Sequence, residues 1–152
     1  MTEPKFSEHL IWNGFTYAYG ISAADITGNG SLDLVATDTG VGIYLFENNG
    51  DGNFTQHVIH KRRGEWLERH KVADINGDGK PEIVVVDNIN GCLLYFEFEG
   101  DPRSSESWKY HYITEGELPG AYDVTLANFD GTGSLDVAAS SWRIGNQFAW
   151  FK

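Results

Sequence analysis

Three short stretches of this chain gather oxygen-bearing side chains at one spacing. In Asp74-Ile75-Asn76-Gly77-Asp78-Gly79-Lys80-Pro81-Glu82 they stand at positions 1, 3, 5 and 9 of a nine-residue loop, with glycines at 4 and 6. Glycine takes the positive φ that lets a backbone fold around a point. Hard oxygens converging on such a turn are what Ca²⁺ requires. The pattern returns at Asp25, Thr27, Asn29 and Asp33, and again at Asn128, Asp130, Thr132 and Asp136. Ligand charge tunes calcium affinity. The middle loop, with Asp74, Asp78 and Glu82 beside Asn76, is therefore expected to bind tightest. The third is expected to bind weakest, because Asn128 takes the first position. Asx-type turns would use the same residues without a metal. Mg²⁺ suits the loops less, since it keeps several waters. Nothing else in the sequence converges on the loops, so the metal reads as structural.

A second set of residues lies in the links that precede the loops. Arg62, Arg63, Arg69 and His70 form the one basic cluster of an acidic chain, and Trp12, Tyr19, Trp66 and Tyr122 supply aromatics. Aromatic plates beside guanidinium and acid groups suit a sugar. An anionic sugar suits them best, because arginine clamps a carboxylate by two parallel hydrogen bonds. Trp12, Tyr19, Arg62, Arg63, Trp66, Arg69 and Tyr122 are thus the expected ligand contacts. A solvated loop whose arginines pair with surplus acid is the competing reading. For catalysis, His70 or Tyr122 would be the base and Arg69 or Arg63 the charge neutraliser. His70 shares strand parity with Val72, so it is equally placed to face inward.

Strands must hold these loops. Ile83-Val84-Val85-Val86, Leu34-Val35-Ala36 and Val137-Ala138-Ala139 follow the three loops directly and read as strands. A second marker repeats with them: Phe6-Ser7-Glu8-His9-Leu10-Ile11 matches Phe54–Ile59 and Trp108–Ile113. The marker offsets are 48 and 54 residues, and those of the loops 49 and 54. His9, His57 and His111 recur at one place in this period. A feature common to every repeat serves packing, so a structural hydrogen bond is their expected role. The middle repeat shows four strands: about His70 to Ala73, Glu82 to Val86, Cys92 to Phe98 and Trp108 to Ile113. Four strands per period of this length is the signature of a β-propeller blade.

The three loops and their flanking strands resemble FG-GAP/VCBS-type repeats, the calcium-loop blades of integrin α-chain heads, fungal lectins and several bacterial sugar-acting propellers. The likeness covers nearly the whole chain, and the Phe-Gly-Gly-Ala-Pro string is absent, which brings it nearer the VCBS-like branch. The resemblance implies an all-β propeller of three four-stranded antiparallel blades, at about 12–59, 60–113 and 114–152. It implies that position 7 (Ser31, Lys80, Ser134) adds a backbone carbonyl to each site. It implies a lectin-like binding module for carbohydrate or a protein surface. Alternatives are a fragment or half of a sugar-acting enzyme, such as a polysaccharide lyase or sugar dehydratase, and a scaffold without a small ligand.

The chain ends on Phe148-Ala149-Trp150-Phe151-Lys152, which aligns with two third strands, and begins with Phe6–Ile11, which aligns with fourth strands. The last blade is therefore expected to take its fourth strand from Phe6–Ile11, within its own ring or from a partner chain. Propellers have about 4–8 blades. Three imply either a two-fold homodimer of six blades or missing blades of a longer chain.

The remaining composition sets limits. Of the 152 residues, 41% are hydrophobic and 14% aromatic, enough for one packed domain. The net charge of −11 argues against nucleic acid. One calcium ion in each of the three loops would bring it to −5. No run approaches the ~20 apolar residues of a membrane span. Cys92 stands alone, which excludes an internal disulfide, and its apolar neighbours mark a buried strand thiol. Met1-Thr2-Glu3-Pro4-Lys5 leads into no apolar leader segment. Calcium sites of the weaker grade nonetheless favour an extracellular or periplasmic location.

Overall fold

A computed structural model describes residues 3–152. It contains eleven strands, β1 (Ala18–Ala24), β2 (Asp33–Asp38), β3 (Gly42–Asn48), β4 (Phe54–Lys61), β5 (Leu67–Ala73), β6 (Glu82–Asp87), β7 (Cys92–Phe98), β8 (Trp108–Thr114), β9 (Ala121–Ala127), β10 (Asp136–Ser141) and β11 (Phe148–Phe151), with one short 3₁₀ turn at Ser105–Ser107. They form three antiparallel sheets in strictly sequential order: β1-β2-β3-β4, β5-β6-β7-β8 and β9-β10-β11. The architecture is all-β, with sheets of four, four and three strands, consistent with an incomplete propeller. No helix among the described residues is long and apolar enough to cross a membrane.

Why the second strands are so apolar is visible in the packing. Successive side chains on a strand point to opposite faces. On β6, Ile83 and Val85 join a core shared with the first sheet, where they meet Val35, Ile43 and Leu45. Val84 and Val86 join a second core shared with the third sheet, against Val124, Val137 and Ala139. All four β6 residues are 0% exposed. An unbroken apolar run is what a strand covered on both faces requires. Cys92 lies in the first of these cores, and burial pushes its thiol pKa up.

The same irregularity recurs in each sheet. Tyr19 and Gly20 stand opposite the single Thr37, Glu68 and Arg69 opposite Val86, and Tyr122 is the extra residue of β9. These bulges re-aim side chains out of the ladder. A second bulge, at Ile59 and Ile113, interrupts the pairing of the fourth strands.

The recurrent histidines have a structural partner. His57 Nε2 lies 3.1 Å from Glu47 Oε2, and His111 Nε2 lies 2.7 Å from Glu97 Oε1. Glu47 also accepts Arg103 from the second sheet's β7–β8 link, Nε at 2.9 Å, so that network ties two sheets together. The Arg103 guanidinium, then His57, holds the Glu47 carboxyl below its usual range.

One expectation is not met within the chain. Phe6–Ile11 forms no strand and pairs with no sheet. It lies instead against the outer face of the first sheet, beside Phe15, Leu34 and Phe46. β11 therefore remains an edge strand. The physical reason is distance along the arc: the segment leads into the first sheet, whereas the free edge belongs to the third.

Leu94 is 0% exposed in the core between the first two sheets. Leu94→Ala should cost about 2–5 kcal/mol in urea unfolding. Ile89→Ala, in an exposed turn, should change stability by less than about 0.5 kcal/mol.

Candidate functional site

Each nine-residue loop is clamped by its last carboxylate. Asp33, Glu82 and Asp136 open β2, β6 and β10, and all three are buried. Asp33 Oδ2 accepts the Ile26 N–H at 3.0 Å, the Thr27 N–H at 2.9 Å and the Thr27 hydroxyl at 3.0 Å. Glu82 accepts the Ile75 N–H at 2.8 Å and Asn76 Nδ2 at 3.1 Å. Asp136 accepts the Phe129 N–H at 2.9 Å. First-position oxygens gather the amides of the turn: Asp74 takes Gly77 and Gly79, Asp25 takes Asn29 and Gly30, and Asn128 takes Gly131. These glycines need their positive φ; Gly77 and Gly79 stand at 80° and 86°.

The oxygens that the spacing assigns to a metal thus already organise the turns. Among the described residues, no three carboxylate, histidine or cysteine side chains converge as a metal cluster. The donor chemistry still separates the loops. In the middle loop Asp74, Asp78 and Glu82 form no ion pair among the described residues, and all the expected donors are oxygens. Burial, then repulsion from Asp78 and Asp74, pushes the Glu82 carboxyl up, as expected for crowded negative charge without a counter-ion. This set fits Ca²⁺. The third loop fits it worse: Asp130, one of its expected donors, is already paired with the Lys152 ammonium. Lys152, followed by the Thr132 bonds, holds Asp130 well below the usual carboxylate range.

The residues assigned to a ligand divide among several places. Tyr19, Arg69 and Tyr122 come together from β1, β5 and β9, the first strands of the three sheets. The Arg69 guanidinium sits 3.8 Å from the Tyr122 ring centre and 5.4 Å from that of Tyr19. Its Nη2 donates to the Tyr122 hydroxyl at 3.0 Å and its Nη1 to the Tyr122 carbonyl at 3.2 Å. Arg62 lies 5.0 Å over the Trp66 ring and donates from Nε to the Glu65 carbonyl at 2.8 Å. Arg63 borders a cleft of about 500 Å³ between β4 and β8. Trp12 lines the outer face of the first sheet.

Three further residues extend the Arg69 group, and sequence reasoning missed them. The Trp142 ring lies 5.3 Å from that of Tyr122, tilted by 41°, and Arg143 lies 4.1 Å over Trp142. Arg143 and Asn146 are the two described non-glycine residues with positive φ, at 63° and 48°. Such strain marks sites where the surroundings over-determine the backbone. The third is Glu68, buried beside Arg69 with Oε2 lacking a hydrogen-bond partner; burial pushes its carboxyl up. The result is a row, Tyr17–Tyr19–Arg69–Tyr122–Trp142–Arg143, in which aromatic rings and guanidinium groups adjoin across all three sheets. The signal available in the sequence was departure from the repeat. Trp142-Arg143 stands where the other two repeats carry Thr39-Gly40 and Asn88-Ile89.

His70 lies in the seam between the first two sheets, 1% exposed. Its Nε2 is 3.2 Å from the Val35 carbonyl, and a Cβ on Gly20 would fall 2.5 Å from its Nδ1. A ring held so tightly would have to leave the seam to meet a substrate.

Asp38 and Asp87 form another repeated device that the spacing analysis passed over, although they are 49 residues apart, as the loops are. Asp38 accepts the N–H groups of Thr16, Tyr17 and Gly40, at 2.6, 3.1 and 2.8 Å. Asp87 accepts the Trp66 N–H at 2.9 Å and Asn90 Nδ2 at 2.6 Å. Each carboxylate pins the link that enters a first strand.

Comparison with known families finds a model described as FG-GAP-like repeat matching residues 25–85 and 74–139, which together span most of the chain. Comparison with curated proteins finds no match.

Burial drops the His70 pKa from 6.5 to about 4. The unfolded chain therefore binds the proton first as pH falls. The stability of a neutral His70 is complete above about pH 6.5 and is lost toward pH 4, by at most about 1.4 kcal/mol per pH unit. Glu68, raised by burial, acts in the opposite sense: its contribution is complete below its unfolded range and is lost as pH rises through its raised value. Urea titrations of wild type and His70→Gln at several pH values should show the steeper acid loss in wild type alone.

Proposed function

From the premise that this chain belongs to the FG-GAP-like repeat family, we propose that it is a calcium-stabilised propeller module that binds carbohydrate, with acidic glycans as the preferred class. The aromatic and guanidinium row across the three first strands carries this reading. Tyrosine and tryptophan faces cover the apolar face of a sugar ring, and their polar edges meet its hydroxyl groups. Arg69 and Arg143 offer charge-assisted hydrogen bonds to a carboxylate. Glu68, buried with Oε2 3.9 Å from Arg69 Nη1, supports the guanidinium from beneath. Of the two expected bases, His70 is buried away from the row and the Tyr122 hydroxyl accepts from Arg69 Nη2 at 3.0 Å, which supports binding over transformation. A protein surface bearing acidic and aromatic side chains is the second partner class that this row could serve.

Calcium belongs to the middle loop first. Asp74, Asn76, Asp78 and Glu82 would hold it, with the Lys80 carbonyl as the position-7 donor. The bound ion supplies positive charge to three crowded carboxylates and fixes the turn from which β6 departs. It takes no part in ligand chemistry.

Two measurements test these readings separately. Calcium titration by calorimetry, with thermal unfolding in parallel, should show binding and a raised Tm; at a hundred-fold excess over Kd the gain is about 2.7 kcal/mol. Asp78→Asn should remove most of that gain, and Lys152→Ala should strengthen the weakest site. No heat and no Tm shift at millimolar calcium would refute the metal reading. Binding of a uronic-acid oligosaccharide should weaken about ten-fold or more in Arg69→Ala and Tyr122→Ala, or about 1.4 kcal/mol. Lys109→Ala, at an exposed position of the β4–β8 cleft, should leave it unchanged. Equal affinity in all three variants would overturn the site.

A further inference from the structure

The arc has two ends, and each end carries a face equivalent to one that the middle sheet buries against a neighbour. On the third sheet, Ala138, Phe148 and Trp150 occupy the positions that Val35, Ile43 and Leu45 hold on the first. In the first sheet those residues are buried against the second. Here Phe148 is 92% exposed and Trp150 53%. At the other end, Ala36, Tyr44 and Phe46 of the first sheet occupy the positions of Val85, Leu94 and Phe96, which are buried against the first sheet. They are covered only by Phe15 and neighbouring side chains and by the irregular N-terminal segment. The two ends are thus the two halves of the contact already formed between adjacent sheets.

The third sheet also lacks a strand. β11 pairs with β10 on one side only, so its other edge offers free N–H and C=O groups. In both complete sheets that edge is filled by a segment with the pattern of Phe6–Ile11. The unpaired copy of the pattern lies in this chain at the opposite end of the arc, with Phe6 93% exposed and Leu10 71%. An open edge, a spare strand of matching sequence and one exposed face occur together. The complementary face, with Ala36, Tyr44 and Phe46 buried under Phe15 and the N-terminal segment, is uncovered when that segment leaves for a partner.

We propose that the third sheet is completed by Phe6–Ile11 of a second copy of this chain, and that two copies joined in this way close a ring of six blades. The register follows from the complete sheets. His57 pairs with Leu45 and His111 with Tyr95, so His9 stands opposite Trp150. Val58 pairs with Tyr44 and Tyr112 with Leu94, so Leu10 stands opposite Ala149. Ile59 and Ile113 are bulged, so Ile11 bulges and Trp12 meets Phe148. One feature of the complete sheets is absent at this junction. Lys152 stands at the place of Glu47 and Glu97, so His9 lacks their carboxylate; within the chain it is 3.0 Å from Ser7 Oγ.

The number of copies follows from closure. The contact is head to tail, and such contacts end only when the ring shuts. Rings of this architecture hold about 4–8 blades. Two copies of these three sheets supply six blades, which falls within the range. Blades from elsewhere at the open edge would leave this chain monomeric by itself, an outcome that its mass in solution separates. The inference rests on the sheets and the spare strand, and stands whether or not the loops bind calcium or the row binds a glycan.

Light scattering after size exclusion should give about twice the 16.9 kDa chain mass. Removing residues 1–11 should yield a monomer that keeps its strand signal in far-ultraviolet circular dichroism. In His9→Cys/Trp150→Cys, a short bis-maleimide should convert the protein into a covalent dimer on denaturing gels; Cys92 is buried and does not compete. A monomeric wild type would overturn the proposal, and so would a cross-link formed within one chain, or a dimer that gives no cross-link at this pair.

Discussion

A sheet with two apolar faces cannot leave either of them in water. This constraint governs the molecule. Burying apolar area gains about 25 cal/mol per Å², and β6 takes that gain on both sides, with Ile83 and Val85 facing one neighbour and Val84 and Val86 the other. Each sheet therefore depends on the next for its cover. Stability passes along the arc from contact to contact, as in other repeat architectures. Within one chain the middle sheet is the best protected, because it has a neighbour on each side.

Carboxylates are the second organising element, and they are spent on backbone amides. Asp33, Glu82 and Asp136 close the loops before the second strands, and Asp38 and Asp87 fasten the links before the first strands. Buried amides need partners, and a short acidic side chain satisfies two or three at once. An acidic composition follows from a fold with many tight turns. The middle loop carries more negative charge than its amides neutralise, whereas Lys152 has already balanced part of the third.

Much of this was legible in the residues. The repeat offsets located the sheets, and the strand limits about Glu82, Cys92 and Trp108 agree with β6, β7 and β8, because apolar alternation and turn glycines encode local geometry directly. The grouping of Tyr19, Arg69 and Tyr122 was partly legible, since Tyr19 and Tyr122 stand at one phase of the repeat and Arg69 one residue beyond it. Trp142, Arg143 and Glu68 were not. Trp142 reaches Tyr122 across a turn, and the environment of Glu68 depends on how neighbouring sheets approach, which no local pattern records. Phe6–Ile11 was recognisable as a strand by its sequence, but strand formation needs an edge to pair with, and the edge it resembles lies at the far end of the arc. His70 illustrates the limit of alternation: parity with Val72 left two orientations open, and the close approach of Gly20 leaves room for only one.

The bulges at Tyr19–Gly20, Glu68–Arg69 and Tyr122 carry a consequence for how the molecule can change. Each lifts one residue out of register with its partner strand, so that residue is spared the pairing that restricts its neighbours. The ladder resumes on either side. Identity at Tyr19, Arg69 and Tyr122 is separated from ladder pairing, though these three side chains touch one another, whereas Gly20 and Glu68 are packed in the seam and stay tied to folding. The repeats can therefore diverge at the surface row while remaining interchangeable as masonry, and a new ligand preference can arise by exchanging single side chains with no new architecture.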